Sequence, residues 1–563
     1  MKKIQVQTER IDDIPLLVQM LREMGIAELI DATFLRHGNR KGMSSGELAE
    51  GWLTYILSES DHRMSFVEEW AAQRLQTLSR VLEREVSAKD FTDDRLGALL
   101  SQLSENARWE ALEDAMNSRH MRVYKLPAEV VRLDSTTAAV YHDIEESTLL
   151  AYGHSKDHRP DLAQVKIFVG ALDPMALPLV TETLAGNLSD DPLYVPAIDR
   201  VRATLKQKGL LYVGDSKMEK LLTRGHLVRG GDDYLLPLSQ KHGQGKLLAT
   251  SVYEALQDES LLSILEWDKE GAWQVRGREW YREQSCVVAG KAVTWKERLL
   301  LIQSRTLYNK QRQGLERRLQ TAEEKIRQLT LPPKRGRRQF RELEPLQERV
   351  AKILHQHQVV EFLTVTYHRE TIPRPGRKHP SVRYQVEVTR NGAALQAQYP
   401  TFGWRLYVTS ASTESLLLRE AFRTYRGAVP TIERLFSRFK GKPLGLRPVF
   451  VRREDRLKGL IRLLSIALRA LTLLEFVVRR TLTEDENPLT GLFPGNPKQA
   501  TKRPTAVRLL QAFKNITLSV VTLPDQQFQH VTPLSPLQNR ILQLLKFSSS
   551  IYSNLEHAEP VPI

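Results

Sequence analysis

A single cysteine, Cys286, stands among the 563 residues. That excludes an internal disulfide framework and any Cys-rich zinc module, and it suits a reducing compartment. Long apolar runs are missing too. The longest such stretch, Leu457 to Val478, is broken by Lys458, Arg462, Arg469 and Glu475, which reads as a buried helix and not as a membrane span. The opening MKKIQVQTERIDDIP has no apolar core of signal-peptide length, so a cytoplasmic protein is expected. There is no GxxxxGK[ST] loop and no His/Cys ligand set to compete with the chemistry considered below. Acidic residues are the minority charge, 67 against 82 Lys and Arg, for a net charge of +15 and a pI near 9.6. Such a balance favours a polyanionic partner.

Residues 1–120 read as all-helical. Pro15 opens an apolar-periodic run through Leu17, Leu21 and Met24, and Ser44 with Glu47 forms a capping-box pattern ahead of Leu48, Trp52 and Ile56. A further helix from Thr92 buries Leu96, Leu99, Leu100 and Leu103. A helical domain at the front of a basic chain serves DNA binding or serves packing and dimerisation, and helix count does not choose between them.

From Glu129 the pattern changes. AEVVRLDSTTAAVY predicts a strand that delivers Asp134 at its end, followed by strands over Val165 to Leu172 and Leu177 to Thr183. Separators of turn type such as Asp173-Pro174 make these neighbours antiparallel. A helix over Val195 to Lys206 leads to LLYVGD, which sets Asp215 at a strand end before a helix starting near Ser216. Three strands, a helix, then a strand with a second Asp is the order of an RNase H-like core, with its first Asp on the central strand and its second on a neighbour. Taken singly, each aspartate reads as structural.

Residues 233–400 read as a strand-rich insertion with tryptophans at 267, 273, 280 and 295 and a charged helical pattern from Tyr308 to Leu329. Its loop PPKRGRRQFRE gathers Lys334, Arg335, Arg337 and Arg338, a cluster able to track a phosphate backbone or simply a solvated link between helices. A second basic loop, ETIPRPGRKHPSVRY, leads into a hairpin. After the strand GWRLYVTS a helix over Glu414 to Thr424 precedes another that carries Ile432, Leu435, Phe436 and Phe439 at i, i+3, i+4 and i+7, the spacing of one buried face. Glu433 lies beside that face, and Lys440 follows two turns later, about 10 Å along the axis. A carboxylate and a cation on one rigid stripe can serve a metal and a phosphate, or they are the ordinary Glu and Lys of a surface helix. Residues 401–483 close the core, and residues 484–563 read as a linker and a helical tail with amphipathic patterns over Thr505 to Phe513 and Leu537 to Phe547.

Two strand-borne aspartates and a helix-borne glutamate are the residue types suited to two hard cations, which activate a water or a 3′-hydroxyl and stabilise a leaving oxygen. Over residues 120–475 the sequence resembles the DDE transposases of bacterial insertion sequences, in the group with a strand-rich insertion before the last carboxylate. The resemblance is carried by RLDSTTAAVY around Asp134, GHSKDHRPDLAQVK from Gly153 to Lys166, GNLSDD from Gly186 to Asp191, and LYVGDSKM around Asp215. IERLFSRFK around Glu433, with RPV at Arg447 to Val449, completes the series.

The resemblance implies an α/β fold: an RNase H-like mixed sheet flanked by helices (residues 121–232 and 401–483), a helical N-terminal domain and an inserted domain. It implies a catalytic, metal-binding triad of Asp134, Asp215 and Glu433 that holds Mg²⁺, with Mn²⁺ as a substitute. DNA contacts are implied for Lys440, Arg438, Tyr425, Arg426, His154, Lys156, His158 and Arg159. The family's helix also has an Arg four residues and a Tyr seven residues before the Glu; here the first position is Val429, and Tyr425 stands eight before, so Tyr425 and Arg426 would act from a shifted register. Trp273, Trp280 and Trp295 read first as core residues and second as candidates for stacking on an extruded base. The implied partners are double-stranded DNA, as terminal inverted repeats and target, and a second copy of the chain in a homodimer. The implied place is the bacterial cytoplasm, at the nucleoid when DNA is bound. A catalytically silent DNA-binding descendant and an RNase H-like nuclease without strand transfer are the other readings.

Overall fold

Three consecutive segments rich in Val, Ile, Leu and Thr build the centre of the fold. In the computed structural model, which describes residues 5–34, 42–141, 144, 147–239, 244–331, 340–372, 381–523 and 527–556, they are the strands Val130–Ala139, Gln164–Leu172 and Leu177–Ala185. Both their pairings are antiparallel, and the middle strand is buried along its whole length. The helix Tyr194–Leu205 then returns the chain to Leu211–Val213, which runs parallel to Val130–Arg132 on the open side of the first strand. Strand order is therefore Leu177–Ala185, Gln164–Leu172, Val130–Ala139, Leu211–Val213, then Asp233–Pro237. The result is a mixed sheet flanked by helices.

The strand of Asp134 does not stop there. Its antiparallel partner keeps pairing as far as Ala139 with Gln164, so Asp134, opposite Val169, sits mid-strand. What ends at that level is the parallel neighbour, whose last pair is Arg132 with Val213.

Two compact units divide the chain, Met1–Tyr234 with Ser285–Val293 and Thr424–Ile563, and Leu235–Gln284 with Thr294–Arg423. The scaffold of the first is the long helix Glu454–Glu484, buried at almost every position from Leu457 to Glu475. It packs on the strand Leu177–Ala185 and on the helices Asp93–Leu103 and Pro536–Leu545. A Cβ at Gly459 would lie 2.0 Å from the Leu100 carbonyl oxygen, so only glycine permits the close crossing with the first of these helices. The charges that interrupt this apolar helix turn inward. Arg469, fully buried, reaches Glu113 at 2.6 Å, and Arg462 donates to the Leu103 carbonyl and to Asn106, both at 2.8 Å. Among the described residues no helix is long and apolar enough to cross a membrane.

The N-terminal helices include Ile14–Met24, Ser45–Glu59, Asp93–Leu103 and Asn106–Tyr124. The capping box forms: Ser44 Oγ accepts from the Glu47 N–H at 3.1 Å, and Glu47 accepts from the Ser44 N–H at 2.6 Å. The region is not all-helical, however. Gln5–Arg10 is a strand paired with Thr517–Thr522, which pairs in turn with Gln527–Val531.

In the second unit Trp404–Thr409 pairs antiparallel with Lys291–Ser304, and Ser263–Trp267 with Trp273–Val288. The helices Arg305–Gln328 and Leu343–His357 enclose a small core of Leu315, Leu319, Ile326, Leu346, Val350 and Ile353, to which the hairpin Leu363–Ile372 and Ser381–Arg390 adds Leu363 and Val388. Trp295 is buried. Trp273 lies under the guanidinium groups of Arg276 and Arg305, at 4.5 and 4.6 Å, Trp280 lies beside Arg278, and Trp267 is exposed.

Candidate active site

The parallel pairing ends at Arg132 with Val213, and Asp134 and Asp215 each follow two residues on, Asp134 within its strand and Asp215 just past the end of the shorter one in extended backbone. Side chains two apart leave a strand on the same face, so the two carboxylates face the same side where the shorter strand gives way. Asp134 Oδ1 accepts the Ser135 N–H at 2.7 Å and stands 3.2 Å from the Lys156 ammonium. Burial pushes the Asp134 carboxyl up from the usual range; Lys156 pulls it back down, and the negative charge of Asp215 pushes it further up. Asp215 caps the short turn Ser216–Glu219 by accepting the Lys217 N–H at 2.9 Å, and the same oxygen accepts the Tyr194 hydroxyl at 2.7 Å. Burial and then the Asp215 charge hold the Tyr194 hydroxyl far above its ordinary pKa, so it stays a donor.

A third carboxylate comes from a different element. Leu418–Lys440 is one continuous helix where two were expected. Ile432, Leu435, Phe436 and Phe439 are buried as their spacing requires, and Glu433 is exposed at the margin of that face. Asp134, Asp215 and Glu433 line one open cleft of about 550 Å³, with Tyr425, Ile432, Arg132, Leu133, Val213 and Gly214 completing its walls. Among the described residues no three His, Cys, Asp or Glu side chains are gathered closely enough to hold a metal by themselves. The donors are nonetheless of one kind, carboxylate oxygens in a partly buried cleft, which suits a hard cation such as Mg²⁺ or Mn²⁺ and not a thiophilic one.

The stretch Gly153 to Lys166 touches the site through Lys156, bonded to Asp134, and Asp157, bonded to Lys440. Lys440 is mostly buried, its ammonium 2.7 Å from Asp157 Oδ1 and 2.8 Å from Thr136 Oγ1. Arg447 shares Asp157 Oδ1 at 2.9 Å. Of the other expected phosphate contacts, His154, His158 and Arg426 are exposed. Arg159 pairs with Asp161 at 2.6 Å and lies over Tyr141, and Arg438 is ion-paired with Glu475. Lys334, Arg335, Arg337 and Arg338 lie outside the described residues.

Sequence reading missed the residues behind the carboxylates. Asp190, in the turn GNLSDD, is buried and accepts Ser135 Oγ at 2.9 Å and Lys166 at 2.6 Å, with Lys217 on its other oxygen. Burial works against its ionisation, but the two ammonium groups outweigh that and hold its carboxyl well below the usual range. GNLSDD stood among the motifs that carry the resemblance, but no role was read for Asp190. Tyr194, at the start of its helix, gave no signal.

Residues 6–114 match a family described as "Domain of unknown function (DUF4277)". No curated protein matches the chain. Among solved structures it is similar to a piggyBac transposase in a synaptic complex with hairpin DNA, with a TM-score of 0.33 and 7% identity over 91% of this chain and 82% of that one.

Proposed function

We propose that this chain is a DDE-type transposase with an RNase H-like core, which binds the terminal inverted repeats of its own element, cleaves the DNA ends and joins the freed 3′-hydroxyl to a target. What supports the reading is the cleft into which a central strand, its parallel neighbour and a helix bring Asp134, Asp215 and Glu433. The order of the sheet and the five sequence motifs agree with it. Asp134 and Asp215 would hold the divalent cations, with Glu433 completing the set. Cations held there would make a water or a 3′-hydroxyl nucleophilic and stabilise the leaving oxygen.

The chain's own residues do the rest. The Ser135 N–H and the Tyr194 hydroxyl fix the two aspartate carboxylates. Asp190 gathers Lys166 and Lys217 beside them. Asp157 ties Lys440 of the Glu433 helix, and Arg447 after it, to the loop following the first strand. His154, Arg426 and Tyr425 would contact a DNA backbone, and the basic cluster Lys334 to Arg338 is a further candidate for phosphate contact. A homodimer would hold two element ends together.

The test uses a plasmid carrying the DNA that flanks this reading frame, with wild type and the Asp134→Asn, Asp215→Asn and Glu433→Gln variants, in Mg²⁺ and in EDTA. Cleavage at element ends followed by joining, with wild type and Mg²⁺ only, is the expected result. Cleavage without joining would point to a nuclease. Specific binding without cleavage in Mg²⁺ or Mn²⁺ would point to a silent DNA-binding protein.

A further inference from the structure

Lys156 was expected to meet DNA, yet its ammonium is bonded to one of the cleft's carboxylates, that of Asp134. It is 3.2 Å from Asp134 Oδ1 and also donates to the Ser135 carbonyl. Its backbone is pinned: the Lys156 N–H bonds Thr137 Oγ1 at 3.0 Å, and Ser155 Oγ accepts the N–H groups of Asp157 and Arg159, both at 3.2 Å. The next residue, Asp157, is held by Lys440 and Arg447. The loop is thereby fixed, while the lysine side chain, 28% exposed on its flexible four-carbon stem, is free to choose a partner.

The surroundings explain why it chooses Asp134. Asp215 receives neutral donors, the Tyr194 hydroxyl and the Lys217 N–H. The Lys217 and Lys166 ammonium groups go to Asp190. Asp134, Asp215 and Glu433 line one cleft, and among the described residues Lys156 is the cation bonded to Asp134. An ammonium and a divalent cation on the same carboxylate repel each other.

We propose that Lys156 is a built-in counter-ion of Asp134 which a divalent cation displaces, freeing its ammonium for a DNA phosphate. This rests on the metal-binding reading of the cleft. Metal and DNA then favour each other's binding, because the metal releases the cation that the DNA uses, and such coupling is reciprocal.

Binding of Mn²⁺ to the full-length protein, followed by water-proton relaxation without DNA, tests the idea independently of activity. Lys156→Met and Lys156→Gln should each bind Mn²⁺ more tightly than wild type, by about 3- to 10-fold, the range of a partly exposed ion pair of up to roughly 1 kcal/mol or slightly more. Lys156→Arg, which keeps the charge, should stay near wild type. Duplex affinity at fixed ionic strength should rise with Ca²⁺ over EDTA in wild type and rise less in Lys156→Met. Neutral variants that bind Mn²⁺ no more tightly than wild type would overturn the counter-ion role. If wild type and Asp134→Asn bind Mn²⁺ alike, the metal reading itself falls, and the counter-ion role with it.

Discussion

Two ion networks lie in the same compact unit and are built on opposite terms. Around Glu113 the carboxylate is fully buried and fully satisfied: Arg469 and Arg200 reach it at 2.6 and 2.7 Å, and the Thr181 N–H adds a third donor. Around Asp134 the balance is left open. Its carboxylate is about a quarter exposed, shares a cleft with Asp215 and Glu433, and has one movable ammonium for a partner. The closed network ties the scaffold helix to the sheet through Leu179 and Thr181. The open one keeps negative charge available where a ligand can enter. Function is read from the incomplete network and stability from the complete one.

Substitutions should separate the two. The largest effect belongs to the cleft: Asp134→Asn should slow metal-dependent strand cleavage on the order of 10³-fold or more, as expected when several kcal/mol of charge stabilisation are lost. The same variant should not melt below wild type in the metal-free protein. The sign follows from the raised Asp134 pKa: the ionised carboxylate is disfavoured in the folded state above the ordinary aspartate range, and a neutral amide removes that cost. Glu113→Gln should do the reverse. It strands buried Arg469 and should cost about 3–5 kcal/mol in a denaturant titration, with any residual activity at low temperature keeping its metal dependence.

Smaller effects refine the contrast. Tyr194→Phe removes one neutral hydrogen bond to Asp215 and should cost about 1 kcal/mol, read as an approximately fivefold slower cleavage with DNA affinity unchanged. Asp190 contributes through its lowered pKa. Its stabilisation is whole above the ordinary aspartate range and is lost as pH falls below it. Asp190→Asn should flatten the acid limb of the stability profile by at most one proton, about 1.4 kcal/mol per pH unit.

Much of this was legible in the chain. The helix face of Ile432, Leu435, Phe436 and Phe439, the capping box at Ser44 and the three antiparallel strands all follow from local period and local chemistry. What escaped was set by distant partners. Gln5–Arg10 is polar and mostly exposed, and it becomes a strand only because Thr517–Thr522 comes to lie beside it. Asp134 looked terminal because the apolar run before it is the stronger signal, yet pairing with Gln164–Leu172 carries the strand five residues further. The sequence reads as a helix over Glu414 to Thr424 and a second one carrying Glu433, where the fold has the single helix Leu418–Lys440. Tyr194 and Asp190 act on residues 21 and 55 positions away, Asp215 and Ser135, and no local pattern encodes that.

The account stands most directly on the rate of strand cleavage of one labelled element-end duplex by wild type and by Glu433→Gln, with affinity for the duplex measured on the same samples. It predicts cleavage by wild type in Mg²⁺ and none in EDTA, together with a variant that binds as tightly and cleaves on the order of 10³-fold more slowly. A variant that cleaves at the wild-type rate, or a wild type indifferent to EDTA, would contradict it.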